Sequence, residues 1–362
     1  MIEAIDKKFL IKYNNYKEYE KKRGFMDSRE RVFKTFDFEK TDQIALQYHP
    51  SPRGYFEHGE KLRKLFIKYK DDFDDVTHEE IPVIPSYAYD KNGDYYDEIE
   101  DEFGILWQYR IFKIMGHPLK RPLDDLDHIN TYQFPKPKYG DDTFIKAVRE
   151  QKKTRFVLKG GVTLFERMTA VRRFEDVLMD MYSDTIEINR IADLFTEFYL
   201  KEIDNLIKAD VDAVFFGDDF GTQKDLLISP EIFRNFLKPR YKIMIDKVHQ
   251  AGKKVHFHSC GANLKLLDDM ADLKIDSYWP QLTAYDTREL AKILRDYKIA
   301  TSLHFRGQIM NFGTPDDVRR WVSTVSEHFD VKNGGSWFYI EIDDRFKFEN
   351  IEALFEIINE LR

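Results

Sequence analysis

Short apolar segments alternate with amphipathic helical segments from about residue 141 to the end of the chain. This alternation indicates parallel βαβ units, because a parallel strand needs a crossover helix before the next strand. The predicted strands are 44–48, 155–158, 213–216, 254–259, 275–279, 300–304 and 336–342, with a weaker one near 105–109 or 83–86. Eight strands in 362 residues favour an α/β fold, a single (β/α)8 TIM barrel, with a doubly wound sheet as the alternative.

The first part of the chain has a less regular pattern. Residues 1–40 predict an N-terminal helical cap, and residues 41–362 predict the barrel, with which the cap forms one structural unit. Residues 81–140 are rich in Pro, Tyr and Asp, which predicts an irregular insertion. Its aromatic side chains either pack the insertion against the barrel or line a pocket for a flat apolar substrate, and the candidates are Tyr96, Phe103 and Trp107.

Composition excludes several classes of protein. The net charge is -8 and the basic residues are scattered among acidic ones, which argues against nucleic-acid binding. No apolar run approaches the roughly 20 residues of a membrane span, and residues 1–8 lack the apolar region of a signal peptide. The single cysteine permits no internal disulfide, so a reducing cytoplasm is the expected location.

That cysteine lies in the segment Lys254–Gly261, which reads as a buried strand followed by a turn. Alternate side chains of a strand share one face, so His256, His258 and Cys260 point the same way. Histidine and cysteine at this spacing can reach one metal ion, and zinc accepts both ligands. The alternative is a core cysteine beside a histidine whose hydrogen bonds are satisfied within the protein.

In a barrel, the loops that follow the strands converge on one end, where active sites lie. Glu341 would point inward from the last strand, which is costly for a carboxylate unless it meets a cation. It is therefore the first choice for a third metal ligand, with Asp343 and His304 as alternates. A salt bridge to Arg345 or Lys347 is the other interpretation of Glu341.

Further polar candidates follow other predicted strands. Asp218 and Asp219 come after strand 213–216, and either could accept a proton or orient a ligand. Capping a helix, or a hydrogen bond to a metal-binding histidine, is as natural a role for them. Arg53 is a candidate catalytic cation or a solvated loop residue. Gln281 and His304 are candidates for substrate binding.

Several segments resemble the uroporphyrinogen decarboxylase superfamily, and in particular its branch of zinc- and corrinoid-dependent methyltransferases. The resemblance covers nearly the whole chain in order. The matching segments are 28–32 with Asp42 and Ile44, 101–104 with Trp107, 164–167, 217–223 with Ser229-Pro230, 238–240, 258–261, 280–281, 313–315 and 349–351. Membership implies a (β/α)8 barrel with its site at the C-terminal mouth.

The resemblance also bears on function. The methyltransferases carry His-x-Cys as zinc ligands, which His258 and Cys260 match. Thiol-methylating members add a second cysteine near the last strand, where this chain has Glu341 or a neighbour. A carboxylate makes a harder site that suits an oxygen ligand such as a methyl ether. The porphyrin decarboxylases use an arginine-rich loop after the first strand, but here that loop has only Arg53, followed at a distance by Arg63.

The resulting hypothesis is the methyltransferase component of an O-demethylase system. It would use zinc to cleave a methoxylated aromatic compound and pass the methyl group to the cobalamin of a separate corrinoid protein. The alternatives are a methylcorrinoid:thiol methyltransferase, a metal-free lyase related to uroporphyrinogen decarboxylase that would use Arg53 and Asp219, and a binding module without chemistry. The direction of methyl transfer and a homodimeric state stay open.

Overall fold

The computed structural model describes residues 26–114, 116–305 and 307–362. Its strands are β1 (Leu46–Pro50), β2 (Asp97–Glu100), β3 (Leu106–Tyr109), β4 (His117–Lys120), β5 (Leu158–Val162), β6 (Ala213–Gly217), β7 (Lys254–Ser259), β8 (Ser277–Pro280), β9 (Ala300–His304) and β10 (Ser336–Ile342). Six of the seven well-defined predicted strands are confirmed within two residues, and the seventh, β5, begins three residues later than predicted.

Helices separate the parallel strands as the alternating pattern predicts. They are α1 (Ser28–Phe36), α2 (Pro52–Lys68), α3 (Asp142–Gln151), α4 (Leu164–Val171), α5 (Phe174–Ser183), α6 (Ile186–Ala209), α7 (Pro230–Ile232), α8 (Lys238–Gln250), α9 (Leu267–Asp272), α10 (Thr287–Asp296), α11 (Gln308–Phe312), α12 (Pro315–His328) and α13 (Phe348–Leu361). A π-helical stretch, Phe233–Leu237, joins α7 to α8. No helix of the described ranges is both long enough and apolar enough to cross a membrane.

Seven parallel strands form the central sheet, in the order β1-β10-β9-β8-β7-β6-β5. The segment 71–73 is bonded to edge strand β1 and to the residues just before edge strand β5. The Asp72 N–H donates to the Leu46 carbonyl, and the Phe156 N–H donates to the Asp72 carbonyl. The sheet therefore curls until its edges lie on either side of one short segment. This is an α/β fold that resembles a TIM barrel, with seven strands in its parallel sheet.

The weak second strand, predicted near 105–109 or 83–86, does not join the parallel sheet. Strand β3 belongs to a separate antiparallel sheet, β2-β3-β4, and 83–86 contains no strand. In space, the segment that lies between β1 and β5 is 71–73. Its sequence is too polar to predict a strand. Its side chains replace part of the backbone ladder, since Asp72 Oδ2 accepts the Leu46 N–H at 2.9 Å and Asp71 Oδ2 accepts the Tyr48 N–H at 2.9 Å.

The insertion and the N-terminal cap differ in part from expectation. Residues 81–140 contain the three-stranded sheet as well as short 3₁₀ helices, so the insertion is more regular than its composition suggests. Helix α1 confirms a helix at the end of the predicted cap, whereas residues 1–25 lie outside the described part of the chain. The helix packs at the N-terminal end of the parallel sheet, where Arg29 pairs with Asp212 at 2.8 Å just before β6.

A buried ionic network ties α1 to the sheet and to the C-terminus. Arg31 pairs with Asp42 at 2.9 Å and also with Asp72, and Arg362 reaches the same Asp72 carboxylate at 3.0 Å. Burial opposes the charge on Arg31, but the two carboxylates outweigh burial and raise its pKa above the usual range. The network therefore stabilises the fold only as a complete set, because any one of these charges alone would be buried without compensation.

Replacing Arg31 by Met is expected to lower the free energy of unfolding by about 3–5 kcal/mol, because the carboxylates of Asp42 and Asp72 stay buried with less compensating charge. Urea denaturation followed by circular dichroism measures this. Lys292→Ala is the control, since Lys292 and Asp296 form an exposed pair on α10 and the unfolding midpoint should not move. If Arg31→Met and Lys292→Ala had the same urea midpoint, the ionic network around Arg31 would not stabilise the fold.

Candidate functional site

Three potential metal ligands meet where β6 and β7 end. They are Asp219, His258 and Cys260, each partly exposed, and one ligand atom from each lies within 4.8 Å of the others. The Nε2 atom of His258 is 3.3 Å from Cys260 Sγ and 3.5 Å from Asp219 Oδ1. Nitrogen, sulfur and carboxylate oxygen are all zinc ligands, so the donor set fits that metal.

The orientation of the His258 ring also fits a metal ligand. Its Nδ1 atom lies 2.9 Å from the backbone carbonyl of Trp279 on the neighbouring strand β8. A carbonyl oxygen can only accept, so Nδ1 carries a proton, and in the neutral ring Nε2 directs its lone pair towards Cys260 and Asp219. Metal-binding histidines in proteins are usually held in this way by a second hydrogen bond.

Strand register explains why Asp219 joins the other two residues. Gly217 on β6 lies opposite His258 on β7, so Asp219 reaches the level of Cys260 two residues later. The Cys260 N–H then donates to Asp219 Oδ1 at 2.7 Å. Asp219, predicted as a catalytic residue, is thus a candidate metal ligand as well. Positions 217 and 219 are two residues apart, so in an extended segment they share one face. This spacing was the signal in the sequence that Asp219 would lie beside Cys260.

The loops after β6 and β7 touch through two glycines. Gly261 has φ +82° and lies so close to Gly221 that a Cβ atom at position 261 would overlap the Gly221 carbonyl. Buried Asn263 supports the same loops, because its amide nitrogen donates to the Cys260 carbonyl at 2.7 Å and to Ser259 Oγ at 2.9 Å. These contacts hold the backbone of Cys260 beside Asp219.

Asp218 points away from the three ligand atoms and into the protein. Its carboxylate is fully buried and accepts the N–H groups of Phe165 at 3.0 Å and Glu166 at 2.6 Å, as well as the hydroxyl of Tyr241. Burial raises the pKa of Asp218, and burial together with the Asp218 charge raises that of Glu166. Asp218 therefore anchors the first turn of α4, while its predicted catalytic role stays a prediction.

A second polar group lies on β9 and β10. His304 Nε2 is 3.4 Å from Glu341 Oε2, and the indole N–H of Trp279 donates to His304 Nδ1 at 3.1 Å. The ring centroids of Trp279 and Tyr339 are 4.7 Å apart in a T-shaped pair. Sequence reasoning did not single out Trp279 or Tyr339, although both occupy inward positions of predicted strands. The role of Glu341 as a third ligand stays a prediction.

The other predicted site residues are dispersed around the mouth. Gln281 lies beside the three ligands, because its Oε1 accepts the Gly261 N–H at 2.9 Å. Arg53 Nε pairs with Asp344 Oδ1 at 2.9 Å. Asp343 accepts the N–H of Asp344 at 2.8 Å, which places its carboxylate at the end of the last strand.

The three aromatic candidates of the insertion have different surroundings. Phe103 is buried against α6, with its ring centroid 5.4 Å from that of Phe198. The indole N–H of Trp107 donates to Asp101 Oδ2 at 2.9 Å, and the Tyr96 hydroxyl donates to Glu98. Phe103 thus has the packing role that was considered for these residues, and substrate binding by all three stays a prediction.

Comparisons with known proteins agree with this architecture. A family model described as uroporphyrinogen decarboxylase (URO-D) matches residues 118–361. No curated protein matches the sequence. A solved methyltransferase from Methanosarcina mazei has a TM-score of 0.61 at 12% identity, and the alignment covers 92% of this chain and 99% of the other. At 12% identity, the similarity is evidence of a shared fold alone.

Two further solved structures share less of the fold. A B12-independent methionine synthase from Shewanella sp. W3-18-1, in complex with selenomethionine, has a TM-score of 0.39 at 11% identity over 84% of this chain and 87% of the other. The GH26 domain of a Prevotella bryantii endo-β-mannanase/endo-β-glucanase has a TM-score of 0.43 at 10% identity over 92% and 94%. Neither similarity informs the chemistry of the site.

The contact between the two glycines predicts that Gly261→Ala lowers the free energy of unfolding by about 3 kcal/mol more than Gly252→Ala, because the backbone must shift to admit the methyl group. Gly252 is a matched control, since it too has positive φ (+69°) but has no atom within 4 Å of an added Cβ. Both variants pay the conformational cost of a left-handed alanine. Chemical denaturation compares them, and equal losses would contradict the importance of the contact.

Proposed function

Because the chain belongs to the uroporphyrinogen decarboxylase family, we propose that it is a zinc-dependent methyltransferase of that family. It would take the methyl group from a methoxylated aromatic compound and pass it to the cob(I)alamin of a separate corrinoid protein. The observation that carries the proposal is the convergence of Asp219, His258 and Cys260 at the ends of two adjacent parallel strands. The proposal also takes the fold as a closed (β/α)8 barrel in which 71–73 occupies the eighth position.

The chain's own residues would hold the metal in a partly preorganised site. His258 Nε2 and Cys260 Sγ supply nitrogen and sulfur, and the Asp219 carboxylate supplies oxygen while it also accepts the Cys260 N–H. A site with one sulfur ligand and a carboxylate is harder than a sulfur-rich site, which favours an oxygen ligand over a thiolate. Zinc bound there would act as a Lewis acid on the ether oxygen.

Exposed apolar side chains near the mouth support a macromolecular partner. Helix α6 ends just before β6 begins, so its first residue lies at the opposite end of the barrel, where the strands end. There Met179, Tyr182 and Ile186 are 60%, 82% and 84% exposed. Phe312, on the helix after β9, is 76% exposed. Exposed apolar surface of this kind commonly marks protein contacts, and a corrinoid protein would have to approach this end.

The metal-free lyase alternative has less support from the geometry. It needs a cation to bind a substrate carboxylate, and Arg53 is the candidate. Arg53 already pairs with Asp344 at 2.9 Å and approaches Glu57 at 3.9 Å. A substrate carboxylate would have to compete with these two acidic side chains.

Zinc binding tests the metal site. The wild-type protein is expected to bind about one zinc per chain, and His258→Ala, Cys260→Ala and Asp219→Asn should each lower the affinity at least about 10-fold. His117→Ala, at an exposed position on β4, is the control. Competition with a chromophoric chelator measures the affinities. Glu341→Gln tests which carboxylate is the third ligand. If this variant loses more zinc affinity than Asp219→Asn does, the third ligand is Glu341.

Methyl transfer tests the chemistry. Zinc-loaded protein, free cob(I)alamin and 2-methoxyphenol are expected to yield methylcobalamin and catechol under anaerobic conditions, followed by absorbance. His258→Ala should reduce the rate at least about 100-fold, because zinc that is no longer held in the site cannot polarise the ether oxygen. Full activity in a metal-free preparation would refute the proposal. Thiol-dependent demethylation of methylcobalamin, without ether cleavage, would instead identify a thiol methyltransferase.

A further inference from the structure

Trp279 contacts histidines of both neighbouring strands, through its backbone carbonyl on one side and its indole N–H on the other. Its backbone carbonyl lies 2.9 Å from His258 Nδ1 on β7, and its indole N–H donates to His304 Nδ1 on β9 at 3.1 Å. The side chain also contacts both rings, with centroid distances of 4.0 Å to His258 and 5.2 Å to His304. Trp279 thus joins the candidate metal ligands to the pair formed by His304 and Glu341.

Trp279 accepts a hydrogen bond from His258 and donates one to His304. This difference determines which nitrogen of each imidazole carries the proton. A carbonyl can only accept, so His258 is protonated on Nδ1. An indole N–H can only donate, so His304 Nδ1 must be unprotonated and the ring proton lies on Nε2. That nitrogen is 3.4 Å from Glu341 Oε2. One tryptophan therefore holds two nearby histidines in opposite tautomers.

We propose that Trp279 is the positioning residue that assigns different tasks to these histidines. His258 is left with its Nε2 lone pair facing Cys260 and Asp219, where it can bind a metal. His304 has its Nδ1 lone pair committed to the indole and its Nε2 proton beside Glu341, which keeps it out of the ligand set. The inference rests on the proposed function to the extent that His258 is taken as a ligand.

Strand packing makes this arrangement rigid. His258 and Trp279 are paired in register between β7 and β8, and the centroids of His304 and Tyr339 are 4.9 Å apart. His304 and Tyr339 are each 7% exposed. Rotation of the His304 ring would break its bond to the indole within this packed group. A lone pair of His304 is then not available to compete for a metal near His258.

The tautomers can be measured directly on the metal-free protein. With selectively ¹⁵N-labelled histidine, long-range ¹H–¹⁵N correlation spectra distinguish protonated from unprotonated ring nitrogens. His258 is expected to show a protonated Nδ1, and His304 a protonated Nε2. The spectra of His258→Ala and His304→Gln assign the two signals. A wild-type His304 protonated on Nδ1 would overturn the inference without any need for a Trp279 variant.

Trp279→Phe then isolates the indole N–H, because phenylalanine keeps the backbone carbonyl and an aromatic ring. His304 is expected to lose its single tautomer while His258 keeps its own. Zinc affinity should change less than about 3-fold, because the backbone carbonyl that orients the ligand His258 is retained. Trp321→Phe is the matched control, since Trp321 packs on Phe305 with a centroid distance of 5.2 Å.

The outcomes separate this inference from the proposed function. An unchanged His304 spectrum in Trp279→Phe would overturn the role of the indole even if the enzyme binds zinc and cleaves ethers. The expected spectra in a protein that binds no zinc would refute the proposed metal site and leave the control of the tautomers by Trp279 standing.

Discussion

The close approach of the loops after β6 and β7 determines the candidate site. Gly221 and Gly261 touch through their backbones, and this contact brings the Cys260 N–H to the Asp219 carboxylate. A side chain at position 261 would push the loops apart and separate two of the three potential ligands. The ligand set thus depends on backbone packing between neighbouring strands as much as on the identity of His258.

Acidic side chains stabilise the backbone at several places in this fold. Asp71 and Asp72 accept backbone N–H groups of β1, so they help to complete the sheet where no regular strand is present. Asp218 does the same for the first turn of α4. Such carboxylates are tolerated in the interior because each has several donors or a buried arginine as partner. An aspartate at a strand end is therefore weak evidence of catalysis by itself.

The alternating pattern of the second half predicted the strands well, since buried parallel strands are apolar on both faces and stand out between helices. It failed for the segment between β1 and β5, because 71–73 pairs through carboxylates and lacks an apolar signature. Leu106–Tyr109 was misleading for the opposite reason. It is strand-like, but it pairs locally in an antiparallel sheet of the insertion.

The sequence alone determined the α/β class, most of the strands and the shared face of His258 and Cys260, because these follow from local periodicity. Only the tertiary structure decided which acidic residue meets them, since Asp219 and Glu341 both follow strands and their distances depend on register and loop packing. It also decided the opposite tautomers of His258 and His304. Those depend on the backbone carbonyl and the indole N–H of Trp279, which lies on the strand between them. No linear pattern in the sequence reveals these contacts.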